Sequence, residues 1–251
     1  MKLPGKSFIA GCAGAIVTIG MWWLLVLTGA VDQRILLSPL DLVRRAQSLD
    51  WPTVALDVWI SLWRVLLGGL VGALLGLAMG VLIGWSDRLR NLLNLPLELL
   101  RPIPPLAWIP LAIIWFGVGD GSKVFVIGLG CFFVMLTNTE KGIRELDPAL
   151  IRQGRSYGLR GFTLIRRVVF PGIRPELMVG ASISTSLAFA SLVAAEMLGA
   201  DSGLGYMLMR GRLDGDFGMV LIAIILIATL AYLLDVVVRR LIVPHRAAYD
   251  S

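Results

Sequence analysis

Long apolar segments, separated by short polar stretches, constrain this chain more than any other feature of its sequence. Of its 251 residues, 57% are hydrophobic and 16% are charged, and the mean hydropathy is +0.82. Soluble domains contain about 45–50% apolar and about 25% charged residues, so this composition indicates an integral membrane protein. Six segments are predicted to cross the membrane as helices: 8–30, 59–85, 101–119, 124–139, 177–198 and 219–238. At about 20 residues per spanning helix, they leave no room for a soluble domain.

The positive charge of the chain is concentrated in one polar stretch. Between Lys141 and Arg174, eight Lys or Arg residues stand against Glu145 and Asp147, which equals the formal net charge of +6 for the whole chain. Lys- and Arg-rich loops of membrane proteins face the cytoplasm, and six spans would put both termini there as well. Because the basic residues flank apolar spans, topology explains the high pI better than nucleic-acid binding does.

Several kinds of chemistry are excluded by residue counts. The two cysteines, Cys12 and Cys131, lie far apart in apolar segments, and the only histidine is His245. The sequence therefore predicts no disulfide framework, no metal site and no catalytic histidine cluster. It also lacks the complete phosphate-binding loop pattern G-x-x-x-x-G-K-S/T, because no glycine stands five residues before Gly5-Lys6-Ser7, so any ATP would have to be hydrolysed by another polypeptide.

The second apolar segment carries a glycine at every fourth position: Gly68, Gly72, Gly76, Gly80 and Gly84. This spacing puts a smooth ridge along one face of a helix, and in lipid such ridges allow close helix packing. The pattern predicts a packing seam within the bundle. A functional hinge is the alternative interpretation.

The third apolar segment begins with closely spaced prolines, namely Pro102, Pro104, Pro105 and Pro110. Proline removes a backbone donor and kinks a helix, and irregular backbone at membrane depth requires cover from protein or from a wet cavity. Pro104, Pro105 and Trp108 are therefore candidates for lining a transport pathway, with a purely structural kink as an equal alternative. The fifth segment adds hydroxyl groups that could contact a passing solute weakly: Ser182, Thr185 and Ser186.

Charged residues within the spans form a further group of candidates. Intramembrane carboxylates are costly and point to function, so Glu196 is interpreted either as part of a gate or partner contact, or as a satisfied structural carboxylate. The Arg64 side chain is expected to extend to the membrane–water interface or to pair with Asp57 or Asp120. Asp235 and Arg239 are four residues apart and are predicted to form an ordinary ion pair on one helix.

The basic stretch from Pro148 to Pro175 has the pattern of a helical hairpin. One helix is predicted over Ala149–Tyr157 and ends at Gly158, which can adopt positive φ. Its apolar side would comprise Leu150, Ile151, Gly154 and Tyr157. A second helical stretch would group Phe162, Ile165 and Val169, and Pro171 would stop it. Such a hairpin could be gripped by a partner, or it could be a surface feature that only satisfies the charge rule.

Three separated motifs in this chain resemble those of bacterial ABC importer permeases. The hairpin is similar to the cytoplasmic EAA loop of these subunits, since Gly158 and Phe170-Pro171 match its later part, although Arg152-Gln153-Gly154 stands in place of Glu-Ala-Ala. The segments RPIPPLAWIPLAIIWFGVGDGSK and LVAAEMLGADSGLGYML resemble permeases for taurine, aliphatic sulfonates, nitrate and bicarbonate, with the taurine type as the nearest match. The resemblance covers residues 50–243.

The resemblance implies a type I ABC importer permease fold with the coupling hairpin between spans 4 and 5. It implies a homodimer in the bacterial inner membrane, two cytoplasmic ATPase subunits that hold ATP and Mg, and a periplasmic substrate-binding protein. The chain itself would bind no cofactor and catalyse nothing. The ATPase contact is expected to comprise Arg152, Gln153, Gly154, Arg155, Gly158, Leu159, Arg160 and Pro171. The domains would be 1–55 (first helix and periplasmic segment), 56–243 (permease domain) and 244–251 (cytoplasmic tail).

The function implied is ATP-driven import of a small anion, with taurine or another sulfonate favoured and nitrate or bicarbonate as alternatives. Few acidic residues and no cationic residue lie in mid-span, so selectivity is expected to reside mainly in the binding protein. The competing hypothesis is a secondary transporter or channel that works alone. Such proteins need inverted repeats or a mid-membrane ion site, and the sequence has neither. An intramembrane enzyme would need paired carboxylates or a nucleophile–base pair, which the spans lack.

Overall fold

The structure, a computed structural model, describes residues 37–242 and, before them, residues 14, 17, 20–26 and 28. No strand occurs in this part of the chain, and the predicted all-α class is confirmed. Residues 20–26 of the predicted first span are helical. The rest of that span lies largely outside the described residues, as does the predicted tail 244–251.

Eleven helices follow in chain order over 37–242: α1 Pro39–Gln47, α2 Trp51–Trp85, α3 Asp87–Leu100, α4 Ile109–Phe116, α5 Asp120–Glu145, α6 Pro148–Ser156, α7 Gly161–Leu164, α8 Phe170–Gly172, α9 Arg174–Gly199, α10 Leu204–Leu213 and α11 Phe217–Ile242. A 3₁₀ turn over Pro105–Trp108 leads directly into α4. A π-helical turn over Ile165–Val169 joins α7 to α8.

Four of these helices, α2, α5, α9 and α11, are long and apolar enough to cross a membrane. α3 and the run Pro105–Phe116 qualify only as a pair and are bent by 86° relative to each other, as in a broken span or a re-entrant loop. We call this pair the broken span. The bend lies at the proline-rich segment, where the sequence predicts an irregular start. The count of six spans stays a prediction, because the first of them is only partly described.

Two of the spanning helices begin earlier than their apolar residues indicate. α2 begins at Trp51 and not at Trp59, with Pro52 in its first turn, where a missing N–H leaves no intrahelical bond unmade. α5 begins at Asp120 and not at Val124. The Lys123 ammonium donates to the Val118 carbonyl at 2.9 Å. Lys123 therefore belongs to α5, and its side chain forms a hydrogen bond with the loop before this helix.

The helices α2 and α5 run parallel to each other and touch along the glycine ridge. A Cβ at Gly68 would lie 2.7 Å from the Val124 carbonyl oxygen, and one at Gly84 would lie 3.0 Å from Ile143 Cβ. At Gly72, a Cβ would overlap the backbone of Gly128. The structure therefore puts all five glycines of the ridge, including Gly76 and Gly80, at this helix contact.

A buried apolar cluster joins α2, α5 and α9, and partly buried side chains of α11 cover it. Its buried members are Val65, Ile127, Cys131, Ala188, Phe189 and Leu192. Near the other end of α9, the Ser182 hydroxyl donates to Asp235 of α11 at 2.7 Å. Arg239 also donates to Asp235, at 2.7 Å, so the predicted ion pair is present.

The helical hairpin lies at one end of the bundle, which we call the hairpin side. Asp147 caps α6 by accepting a hydrogen bond from Ala149 N at 2.7 Å. Gly158 ends this helix with a φ of 78°, and Leu159 N donates back to the Gly154 carbonyl at 3.1 Å. The predicted glycine stop is therefore found at Gly158.

The apolar residues of the predicted hairpin are unevenly buried. Of the four residues expected on the apolar side of α6, Gly154 is buried, whereas Leu150 is 42% exposed and Tyr157 is 77% exposed. Gly154 is buried because the second stretch approaches it closely: a Cβ at Gly154 would lie 2.7 Å from Leu164 Cδ1. Phe162 also points outward and is 73% exposed.

Pro171 was predicted to stop the second helical stretch, and this prediction is wrong. The chain changes its hydrogen-bond register before Pro171. Phe170 N donates to the Ile165 carbonyl, which is the wider spacing of a π-helical turn. Pro171 then occupies the first turn of α8, where its missing donor is tolerated. The break comes at Ile173, immediately before α9.

On the side opposite the hairpin, α1 is tied to the start of α11. Arg45 Nε donates to Asp216 Oδ2 at 2.8 Å, and Asp216 Oδ1 accepts from Met219 N at 3.0 Å. The hydrogen bond from the Arg45 guanidinium lowers the pKa of Asp216 below its ordinary value. This pair holds the polar segment before α2 against the last spanning helix.

Replacing Gly72 by alanine should separate α2 from α5. The new Cβ would meet the backbone of Gly128, which cannot rotate away, so we expect a loss of about 1–3 kcal/mol and a lower Tm of the purified protein in detergent. Gly69→Ala is the matched control, because a Cβ there has its nearest neighbour, Cys131 Sγ, at 3.9 Å. Equal Tm values for the two variants would contradict the assignment of the ridge.

Candidate functional site

A buried carboxylate near the end of α9, on the side opposite the hairpin, is fully paired. The Glu196 side chain has no exposed surface and accepts a hydrogen bond from Arg64 Nη1 at 2.7 Å. Gly205 N donates to its other oxygen at 2.8 Å, and the Ser61 hydroxyl lies 2.9 Å from both oxygens. The donors to this carboxylate thus come from two elements of the fold, α2 and α10.

The cation of this network, Arg64, is 97% buried and joins α2 to two other parts of the chain. Its Nε donates to Asp120 Oδ1 at 2.8 Å at the start of α5, and its Nη1 donates to the Ser202 carbonyl at 2.8 Å. The predicted pairing with Asp120 is therefore present. Asp57, the alternative partner, instead accepts from Gly203 N at 2.6 Å.

The network shapes the loop that joins α9 to α10. Gly203 has a φ of 111°, and a Cβ there would lie 2.6 Å from the Glu196 carboxyl carbon. Glycine is required on both counts, because L-residues avoid this conformation and no space is free. Of the two interpretations of Glu196, this geometry favours the satisfied structural carboxylate, since the side chain is out of reach of a soluble partner.

A narrow slot of about 240 Å³ lies beside the bend of the broken span. Pro105 lines it from the bend, and Ile183 and Leu187 line it from α9. Gly130 of α5 permits the close approach, because a Cβ at this position would lie 3.2 Å from Pro105 Cγ. The slot is open along one side, where Ile183 is 49% exposed.

The other pathway candidates of the third segment lie near the slot without lining it. Pro104 immediately precedes the 3₁₀ turn, and Trp108 ends that turn. The indole Nε1 of Trp108 is buried and has no hydrogen-bond partner within residues 37–242 or the described part before them. Only Pro105 among these three candidates therefore lines the slot itself.

The slot leads into a larger polar vestibule of about 1010 Å³ on the hairpin side. Arg101 and Thr137 line both cavities, so the two are contiguous. The vestibule is walled by α3 and by the last turns of α5, and its lining is mainly charged or amide: Arg90, Asn91, Asn94, Glu98, Arg101, Glu140, Lys141, Arg144 and Glu145. A solute could pass from an apolar slot into a wet, polar exit.

The hydroxyl groups proposed as pathway contacts are used for helix hydrogen bonds instead. The Thr185 hydroxyl donates to the Ala181 carbonyl at 3.0 Å, and the Ser186 hydroxyl lies 3.4 Å from the Ser182 carbonyl. Such back-bonding satisfies a hydroxyl inside an apolar helix. Ser182 itself is bonded to α11, so the structure does not bring these three residues to the slot.

Arg101 and Thr137 are site residues that sequence reasoning missed. In the sequence, Arg101 reads as one more basic residue flanking a span, and the charge rule explains it without any cavity. The available signal is its position directly before the proline run. Only the 86° bend shows that this position faces a cavity and not the membrane surface.

The hairpin presents a basic, outward-facing surface on the same side as the vestibule. The side chains of Arg152, Gln153, Arg155, Arg160 and Pro171 are exposed, Leu159 is half-buried and Gly154 is buried. None of the three arginines has an ion-pair partner in the part of the chain that the structure describes. This surface is therefore open to an acidic partner.

The fold and its cavities define the class: a multi-pass, all-helical membrane protein with a broken span and a polar vestibule. Residues 72–243 match the family described as binding-protein-dependent transport system inner membrane component. The chain belongs to this family, and it is a permease subunit of an ABC transporter and not an enzyme. The predicted family resemblance is thereby confirmed.

Three relatives indicate where the chain lies within the family. It is 38% identical to the putative aliphatic sulfonates transport permease protein SsuC of Escherichia coli, over 94% of this chain and 91% of that protein. It is 31% identical to the taurine transport system permease protein TauC of E. coli, over 90% and 84%. It is 32% identical to the nitrate import permease protein NrtB of Synechococcus elongatus, over 72% and 66%.

A solved structure supports the predicted fold. Inward-facing conformations of the MetNI methionine ABC transporter match with a TM-score of 0.67, covering 77% of this chain and 98% of the matched chain. The sequence identity is only 22%, so this likeness bears on the fold alone. It confirms the ABC permease fold that the resemblance implies.

Removing the buried cation should destabilise the protein strongly. In Arg64→Met, Glu196 and Asp120 lose their shared partner, and an unpaired buried charge costs about 3–5 kcal/mol. We expect a large fall in Tm and a low yield of monodisperse protein. Arg44→Met is the control, because its ion pair with Asp41 is well exposed, at 69% and 53% of the side chains, and exposed pairs contribute little.

The double variant Arg64→Met with Glu196→Met separates a buried-charge effect from simple loss of packing. It removes both charges of the pair, so part of the lost stability should return. A double variant less stable than Arg64→Met alone would contradict the account of Glu196 as a carboxylate that depends on Arg64.

Proposed function

We propose that this chain is the membrane-spanning subunit of an ATP-driven importer of small anions, with taurine or another sulfonate as the favoured substrate. The observation that carries this proposal is the 38% identity to an aliphatic sulfonates permease over 94% of the chain. Identity to the taurine permease is lower, at 31%, so alkanesulfonates are at least as good candidates as taurine. Nitrate and bicarbonate are the remaining substrates of the proposed group.

The hairpin is the proposed link to two cytoplasmic ATPase subunits, which would bind ATP and Mg. Its support is geometric: α6 is capped at both ends and lies on the second stretch through buried Gly154. A push on α6 is therefore passed through the π-helical turn to α9, which begins at Arg174. Because Arg152 and Arg155 are exposed and unpaired, an acidic groove on the ATPase would complement them.

Two further partners complete the proposed transporter. A second copy of this chain would close the slot, which is open along one side in the single chain. A soluble binding protein would deliver the substrate on the side opposite the hairpin, near the loop that Glu196 and Arg64 hold in place. The basic hairpin would lie in the cytoplasm of a bacterial cell, as the positive-inside rule expects.

Reconstitution tests the proposed function directly. The complete transporter in proteoliposomes should take up radiolabelled taurine or an alkanesulfonate only when ATP, the ATPase subunits and the binding protein are all present. Nitrate should be imported poorly. Uptake by the permease alone, without ATP, would instead establish the competing hypothesis of a secondary transporter or channel.

A valine at Gly158 should uncouple transport from ATP hydrolysis. The φ of 78° is strongly unfavourable for a β-branched residue, so α6 would no longer end where it does. We expect the permease to insert and assemble. Binding-protein-stimulated uptake should fall about tenfold or more, because the strained backbone conformation costs about 1–3 kcal/mol at the contact surface. Gly158→Asn is the matched control, since asparagine tolerates this conformation.

The ratio of uptake to ATP hydrolysis is the decisive measurement for Gly158. Wild-type coupling in Gly158→Val would count against the hairpin as the mechanical link. A loss in Gly158→Asn equal to that in Gly158→Val would point to side-chain exclusion and not to backbone conformation.

A further inference from the structure

One cation at the bend of the broken span stands apart from the other charges around the vestibule. Arg101 follows the last residue of α3 and precedes the proline run, and its backbone N donates to the Leu97 carbonyl at 2.9 Å. Its side chain is exposed to both cavities, at the point where slot and vestibule meet. Among the residues that line the slot, it is the one with a charge.

The other charged groups of the vestibule have partners. Glu140 pairs with Arg144 at 3.6 Å, and Glu145 pairs with Lys141 at 3.9 Å. Glu98 accepts a hydrogen bond from Asn94 at 2.8 Å. Arg90 of α3, which also lines the vestibule, pairs with Asp87 at 2.7 Å.

The Arg101 side chain has no hydrogen bond or ion pair within the described residues. Its neighbours in the slot do not supply an acidic partner. The Thr137 hydroxyl donates to the Phe133 carbonyl at 2.7 Å, and the Asn138 amide donates to the Val134 carbonyl at 2.9 Å. The guanidinium therefore keeps all its donors free, in a place where one wall is apolar and the other is wet.

We propose that Arg101 is a specificity-determining residue of this permease, which binds the oxyanion group of the substrate as it leaves the slot for the vestibule. This inference rests on the proposed function as an anion importer. A guanidinium matches two oxygens of a tetrahedral oxyanion with parallel hydrogen bonds, and it stays charged at every physiological pH. An anion crossing the apolar slot thus meets one cation that forms no ion pair with a described carboxylate.

The surroundings of Arg101 also keep this contact weak enough for release. The vestibule side is polar and open to water, which screens the attraction, and transport requires sites that a solute can leave. Arg101 lies at the bend and not in mid-span, so the expectation that no cation lies in mid-span stays a prediction. The break in the third span carries Arg101 from the end of a helix to the mouth of the slot.

Sulfonates share their three-oxygen geometry with the phosphate of a lipid headgroup, so the experiment must distinguish a bound substrate from a bound lipid. In the complete reconstituted transporter, Arg101→Gln should lower the maximal rate of radiolabelled taurine uptake about tenfold, as for the loss of a charged hydrogen bond. Arg90→Gln is the matched control, because it removes an arginine of α3 that lines the same vestibule and already has a partner. Binding-protein-stimulated ATP hydrolysis should persist in both variants.

Thermal stability of the complete transporter in maltoside micelles separates substrate from lipid. Methanesulfonate should raise the Tm of the wild type and of Arg90→Gln above the value in sodium chloride of equal ionic strength, and the rise should be absent in Arg101→Gln. A rise with glycerol phosphate but not with methanesulfonate would assign Arg101 to lipid headgroups and overturn the proposal.

The remaining outcomes are also decisive. Wild-type uptake in Arg101→Gln, or an equal loss in Arg90→Gln, would overturn the role of Arg101 while leaving the proposed function intact. Failure of the wild type to import any sulfonate would refute the proposed function itself. If Arg101→Gln does not assemble, Arg101→Lys keeps the charge without the paired donors. Unreduced uptake in that variant would then overturn the assignment.

Discussion

The close contact of α2 with α5 is the constraint on which the rest of the structure depends. In lipid, apolar side chains gain little by leaving one hydrocarbon surface for another, so helices associate through tight packing. The overlap that a Cβ at Gly72 would make with the backbone of Gly128 shows how tight this contact is. With these two helices fixed in parallel, α9 packs on α5 and the broken span lies against Gly130.

Two arginines at opposite ends of the bundle illustrate two uses of a charge in a membrane. Arg64 is 97% buried, and it pairs with two carboxylates and donates to one carbonyl. It joins α2, α5 and the α9–α10 loop into one rigid end. Arg101 lies between an apolar slot and a polar vestibule and has no partner among the described residues. The first charge stabilises the fold, whereas the second is available to a ligand.

The hairpin is connected to the helix bundle by a short segment of the chain. Gly154 is buried against the second stretch, and the π-helical turn carries that stretch past Pro171 directly into α9. α9 also supplies one wall of the slot, at Ile183 and Leu187. A displacement of the hairpin therefore acts on a helix that touches the proposed pathway, without passing through a flexible linker.

The sequence alone determined the elements whose causes are local or compositional. Apolar length predicted spanning helices, glycine spacing predicted the ridge, and Gly158 predicted the end of α6, since each depends on neighbouring residues only. Tertiary structure decided the rest. The pairing of Arg64 with Glu196 joins residues 132 positions apart in the chain, which no local pattern can register. The 86° bend likewise decided that Arg101 faces a cavity, because the direction of a side chain after a proline break depends on what the broken helix packs against.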